Sequence, residues 1–152
     1  MKENAKTGLA YSGPYLPVVL RTFEILIAED DRIYWPIWRS LLRDSSRATK
    51  LTFVTSAEAA EVLLRKAQAE GKPFDLLICD VNLAGFRTGI DLWSEYRTLV
   101  PVFLTSSLGR DEIHRLLKKR GLVAPAFLQK PLELKECTYA VDAVLNSFGT
   151  AE

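Results

Sequence analysis

"DLLICDVNLAGFRTGIDLW", Asp75–Trp93, is the stretch from which the rest of the chain can be read. Its run Leu76–Cys79 is apolar without alternation, as expected of a strand buried on both faces. The run ends on a carboxylate, Asp80, and the chain then turns polar and glycine-containing. A buried carboxylate is costly unless it is paired, hydrogen-bonded or bound to a metal. One such aspartate alone reads as a turn cap. Its meaning depends on what the other strands deliver at the same end.

Working outward, the pattern repeats. Upstream, "FEILIA" (23–28) and "KLTFVT" (50–55) are short apolar strands; downstream, "PVFLTS" (101–106) and "PAFLQ" (125–129) are two more. Helical spacing fills the intervals. "DRIYWPIWRSLLRD" places Ile33, Ile37, Leu41 and Leu42 on one face, with Pro36 in the first turn where a missing N–H is tolerated. "TSAEAAEVLLRKAQAEG" opens on a capping-box pattern, Thr55 with Glu58, and closes at Gly71. "GIDLWSEYRTL" follows the third strand. "GRDEIHRLLKKRG" has acids in its first turn and bases in its last, as the helix dipole favours. "PLELKECTYAVDAVLNSFG" closes the chain, punctuated by Pro131 and Gly149. Apolar strands alternating with helices specify a parallel sheet covered on both faces. Five such units predict an α/β, flavodoxin-like doubly wound five-stranded parallel sheet of order 2-1-3-4-5.

Composition agrees with a globular chain. Of 152 residues, 48% are hydrophobic and 26% charged, enough for one domain with a real core. A formal net charge of +1 gives no general pull toward nucleic acid or anionic membrane, so neither is expected as a partner. Two cysteines, Cys79 and Cys137, make no disulfide framework and suit a reducing cytoplasm. No stretch has the length of a transmembrane helix, and the N-terminus lacks a signal peptide's apolar segment. Residues 1–21 read as an N-terminal extension broken by Gly8, Gly13, Pro14 and Pro17, with Tyr11, Tyr15 and Leu16 suited to docking.

In an open parallel sheet the functional crevice lies beyond the carboxyl ends of the strands. There the first strand delivers Glu29, Asp30 and Asp31, the third Asp80, the fourth Thr105, Ser106 and Ser107, and the fifth Lys130. In the expected order strands one and three are neighbours, so their acids converge. Clustered carboxylates repel unless a cation joins them, and an oxygen-only donor set favours Mg²⁺. An aspartate beside Mg²⁺ and a lysine can act as a nucleophile and carry a phosphoryl group. Each residue alone has a plain structural reading; the four strand ends together do not.

From about Phe23 to Phe148 the sequence resembles the receiver domains of two-component response regulators, which divides the chain into an extension (1–21), a receiver domain (22–149) and a tail (150–152). The resemblance implies that Asp80 is the phosphoacceptor and Glu29 and Asp30 the acidic pair for Mg²⁺, with Asn82 offering its backbone carbonyl to the metal. It makes Thr105 the switch hydroxyl, Phe127 the aromatic switch residue, and Lys130 the phosphate-sensing lysine followed by a cis proline, Pro131. Two positions depart from the pattern: Ala84 stands where a proline is usual, and Gly89 comes one residue late, lengthening the loop beside the acceptor.

The implied function is a phosphorylation-dependent signalling switch. It takes its phosphoryl group from a histidine kinase or histidine phosphotransfer protein and passes the signal to a downstream protein target, with homodimerisation possible. Its only catalysis would be its own phosphorylation and dephosphorylation. Three other readings stand beside it: a phosphate-independent binding or dimerisation module, a receiver excised from a larger regulator, and an aspartyl-nucleophile phosphatase. The last needs a second acid two residues after the nucleophile, and Asn82 has no proton to give. Outside this site, His114 and Lys118–Arg120 read as surface of an amphipathic helix, and Cys79 as core. Trp35 and Trp38 cannot both face the core easily, which leaves one as a candidate partner surface.

Overall fold

A computed structural model describes residues 21–123 and 126–148. The expected extension and tail therefore lie outside the described residues, Arg21 excepted. Five strands, β1 (Phe23–Ala28), β2 (Thr49–Val54), β3 (Leu76–Asp80), β4 (Val102–Ser106) and β5 (Ala126–Gln129), form one sheet of order β2-β1-β3-β4-β5. All neighbouring pairs are parallel. Five helices connect or follow them: α1 (Tyr34–Arg43), α2 (Ala57–Ala69), α3 (Gly89–Tyr96), α4 (Arg110–Lys119) and α5 (Leu134–Phe148). Fold class and strand order are those expected from the sequence.

Alternation along each strand sorts the core into two layers. From β1, Leu26 and Ala28 face α2, α3 and α4, where they meet Leu64, Ile90 and Ile113. Ile25 and Ile27 face the other way, toward Trp38, Leu41 and Leu42 of α1 and Cys137, Val141 and Leu145 of α5. β3 is buried along its whole length, so Leu76–Cys79 supply both layers. Each such side chain contributes about 1.5–3 kcal/mol by leaving water. Among the described residues no helix is long and apolar enough to cross a membrane.

Local details differ from expectation at two helix starts. The N-cap of α2 is Ser56, whose hydroxyl accepts from Ala59 N at 3.1 Å, rather than Thr55. The Thr55 carbonyl instead accepts a bond from Ala84 N (3.3 Å) in the loop after β3. The capping box falls instead at α3, between Thr88 and Asp91. Pro36 does lie in the first turn of α1. Trp38 is fully buried, whereas Trp35 is half-buried and stacks on Phe53, with ring centroids 5.0 Å apart. Only one of the two indoles thus faces the core fully, as the sequence led us to expect, and Trp35 is the partly exposed one.

Candidate functional site

Strand register brings the acids and the lysine together. Ala28 pairs with Cys79, so the next residues, Glu29 and Asp80, leave β1 and β3 at one level. Asp80 is paired with Thr105 on β4, and Ser106 with Gln129 on β5, which sets Lys130 just beyond. Lys130 N donates to Ser106 O (2.8 Å), fixing where its side chain starts. The Lys130–Pro131 peptide is cis, as the family resemblance implied.

Lys130 Nζ lies 2.8 Å from Asp80 Oδ2 and 2.8 Å from Glu29 Oε1. The Asp80 contact is an aligned hydrogen bond, whereas the Glu29 contact is an ion pair without that alignment. Glu29, Asp80 and Thr105 are buried, and Asp30 is exposed at the rim. Oxygens of Glu29, Asp30 and Asp80 all lie within 4.8 Å of one another. Such an oxygen-only cluster suits a hard divalent cation. Glu29 Oε2 accepts from Asp31 N (3.1 Å), and Asp80 Oδ1 from Asn82 N (3.2 Å).

Electrostatics follow from this geometry. Burial, reinforced by the Asp80 charge and opposed by Lys130, raises the Glu29 carboxyl from 4.5 to about 7. Burial pulls the Lys130 ammonium down, but its hydrogen bond to Asp80 and its pairing with Glu29 prevail and its pKa is raised. Burial pushes the Cys79 thiol upward, which removes it as a nucleophile.

Phe127 sits half-buried on β5, paired in register with Leu104, and the Arg110 guanidinium of α4 lies 5.6 Å from its ring centroid. Thus Glu29, Asp30, Asp80, Asn82, Thr105 and Lys130 gather at or just beyond the carboxyl ends of β1, β3, β4 and β5, and Phe127 lies on β5. His114 is exposed on α4. One neighbour was not legible in the sequence. The Tyr34 ring centroid lies 4.0 Å from Lys130 Nζ. The string "DRIYW" signals only a helix start, and nothing local to it points to Lys130.

The lengthened loop between β3 and α3 is built into the site. Ala84 bridges to Ser56, and its N–H bond to Thr55 O is one that the usual proline could not make. Gly85 (φ 95°) passes so close to α2 that a Cβ would lie 2.7 Å from Glu58 Oε1. Arg87 pairs with Glu61 of α2 (2.8 Å) and Glu95 of α3 (2.5 Å). Gly89 is required by contact: a Cβ there would lie 2.0 Å from the carbonyl oxygen of Asp80.

Comparison with known proteins agrees with this geometry. No curated protein matches the chain. Among solved structures, one described as a response regulator from Chloroflexus aurantiacus J-10-fl has a TM-score of 0.67 at 24% identity, covering 83% of this chain and 99% of that one. A two component response regulator from Cytophaga hutchinsonii has a TM-score of 0.66 at 23% identity, covering 83% and 99%. The phosphorylated cyanobacterial phytochrome response regulator RcpA has a TM-score of 0.63 at 18% identity, covering 86% and 96%. At these identities the likeness shows the fold alone. The family model for the response regulator receiver domain matches residues 25–142, from within β1 to within α5. The chain therefore belongs to the response regulator receiver domain family.

Proposed function

We propose that this chain is a phosphorylation-controlled switch in which Asp80 accepts a phosphoryl group from a histidine kinase or histidine phosphotransfer protein. A receiver domain of a response regulator implies a role in two-component signalling, with kinases or phosphotransfer proteins on one side and downstream targets on the other. The observation that carries the finer reading is the placement of Asp80, with Lys130 Nζ at 2.8 Å and the Glu29 and Asp30 oxygens in the same cluster. That one relative in fold was solved phosphorylated also supports it.

In the proposed step a carboxylate oxygen of Asp80 attacks the donor phosphorus. The P–N bond to the donor imidazole breaks, and its electron pair returns to that nitrogen. Lys130 neutralises charge on the transferred group, so the chemistry is mainly positioning and charge balance. The oxygens of Glu29, Asp30 and Asp80, with the backbone carbonyl of Asn82, would hold Mg²⁺. When bound, that ion relieves carboxylate repulsion and draws in phosphoryl oxygens. Thr105 and Phe127 would register the new group and bias the surface presented to a protein target, or to a second copy of the chain. The chemistry acts only on the chain's own Asp80, in a unit spanning 22–149 and a cytoplasmic setting.

The test is incubation with acetyl phosphate and Mg²⁺, followed by intact-mass measurement. Wild type should gain one phosphoryl group, while Asp80→Asn gains none and Asp30→Ala gains little. Equal uptake by Asp80→Asn would sink the assignment.

A further inference from the structure

The Lys130 ammonium has three close neighbours that fix it. Two are the carboxylates of Glu29 and Asp80 at 2.8 Å; the third is the face of Tyr34, 4.0 Å from centroid to Nζ. The Lys130 side chain is only 7% exposed, so the ring stands where water would otherwise solvate the cation. An aromatic face carries negative potential and attracts a desolvated ammonium in a way that an aliphatic side chain cannot. We infer that Tyr34 is a positioning residue for chemistry at Asp80, its ring holding the Lys130 ammonium beside the acceptor and closing that side to water. This rests on the reading of Asp80 as phosphoacceptor and adds to it a residue that the family resemblance did not supply.

The ring is held in place by its helix. Tyr34 N donates to Asp31 O (3.1 Å) and Trp35 N to Arg32 O (3.1 Å), so the first turn of α1 is tied back to the acidic segment. The Trp35 indole N–H donates to Glu29 O (3.0 Å) while its ring stacks on Phe53. The turn that carries Tyr34 is thereby fastened to the residue that partners Lys130. Tyr34 also packs against the core layer formed with α1 and α5. If packing were its whole role, leucine would replace it with little effect on Lys130.

When Asp80 is modified, Lys130 must pass its bond from a carboxylate oxygen to a phosphoryl oxygen. A cation held on one side by a ring retains a position near the acceptor during that exchange. Without the ring it is free to turn toward water, and the developing charge loses its partner for part of the time.

The full chain, with Mg²⁺ and acetyl phosphate, tests this in two backgrounds. With Lys130 intact, Tyr34→Phe should phosphorylate within about twofold of wild type, and Tyr34→Leu about tenfold more slowly. In a Lys130→Met background, Tyr34→Leu should change the rate by less than about twofold, because the ring acts through the ammonium. A Tyr34→Leu rate equal to wild type, or an equal loss in both backgrounds, would overturn the inference. A readout independent of the variants is the proton NMR position of the Lys130 ε-methylene in wild type. A ring-current shift upfield is expected, and an ordinary lysine position would overturn the contact itself, even if Tyr34→Leu failed to fold. Wild type that takes no phosphoryl group from any donor, with the upfield shift present, would refute the phosphoacceptor reading instead.

Discussion

Gly89 carries a constraint set by one interatomic distance. A Cβ there would meet the Asp80 carbonyl oxygen at 2.0 Å, and that partner is backbone, with no flexible end to give way. Gly89→Ala must therefore displace either the start of α3 or the end of the acceptor strand. Overpacking of this kind costs about 1–3 kcal/mol, read as a lower urea midpoint at unchanged slope; an unchanged midpoint would contradict the contact. Glu29 makes a second prediction at this scale, with a definite sign. Its folded pKa of about 7 lies above the ordinary 4.5, so between those values the folded chain binds more protons than the unfolded one. Metal-free stability should thus fall as pH rises from 4.5 to about 7. Glu29→Gln should flatten that slope. Mg²⁺ affinity should rise over the same window as the carboxylate loses its proton. Of these residues, the acids, Thr105 and Lys130 were legible because strand ends announce themselves in sequence. Tyr34 and the Gly89 contact were not, because each depends on a distance between segments far apart in the chain.

The loop joining β3 to α3 shows what an element can hide. Its length and its Ala84 were visible in the sequence as departures, but the reason for them is tertiary. Ala84 lends an N–H to Thr55, and Arg87 clasps Glu61 and Glu95. The α2 cap is Ser56 rather than Thr55, two adjacent residues that both suit an N-cap. The α3 box departs from the usual sequence pattern, since its third helical residue is Asp91 where glutamate or glutamine is usual. Thr88→Ala should cost about 1 kcal/mol, measured by chemical denaturation. Arg87→Ala should cost less than about 1 kcal/mol overall, since its ion pairs are partly exposed. Its effect should be local: faster amide exchange across residues 82–88, with the strands' protection unchanged. Uniform loss of protection across the sheet would show that the clasp holds more than the loop.

At the scale of the whole molecule, sheet order was the most legible feature. Unalternating apolar runs separated by helical patterns admit few arrangements, and the parallel order β2-β1-β3-β4-β5 is the one found. That order makes β1 and β3 neighbours, and so turns separate acidic residues into one cluster around Lys130. Under the proposed function this convergence makes Asp80 a phosphoryl acceptor. Its most direct test is chemical trapping. An acyl phosphate is reduced by borohydride to an alcohol, whereas a phosphoserine or a free carboxylate is not. Wild type treated with acetyl phosphate and Mg²⁺, then borohydride, should yield homoserine at position 80 on peptide mass sequencing. Homoserine at another aspartate, the longer alcohol 5-hydroxynorvaline at Glu29, or phosphate retained on Ser106 or Ser107 would contradict this role of Asp80.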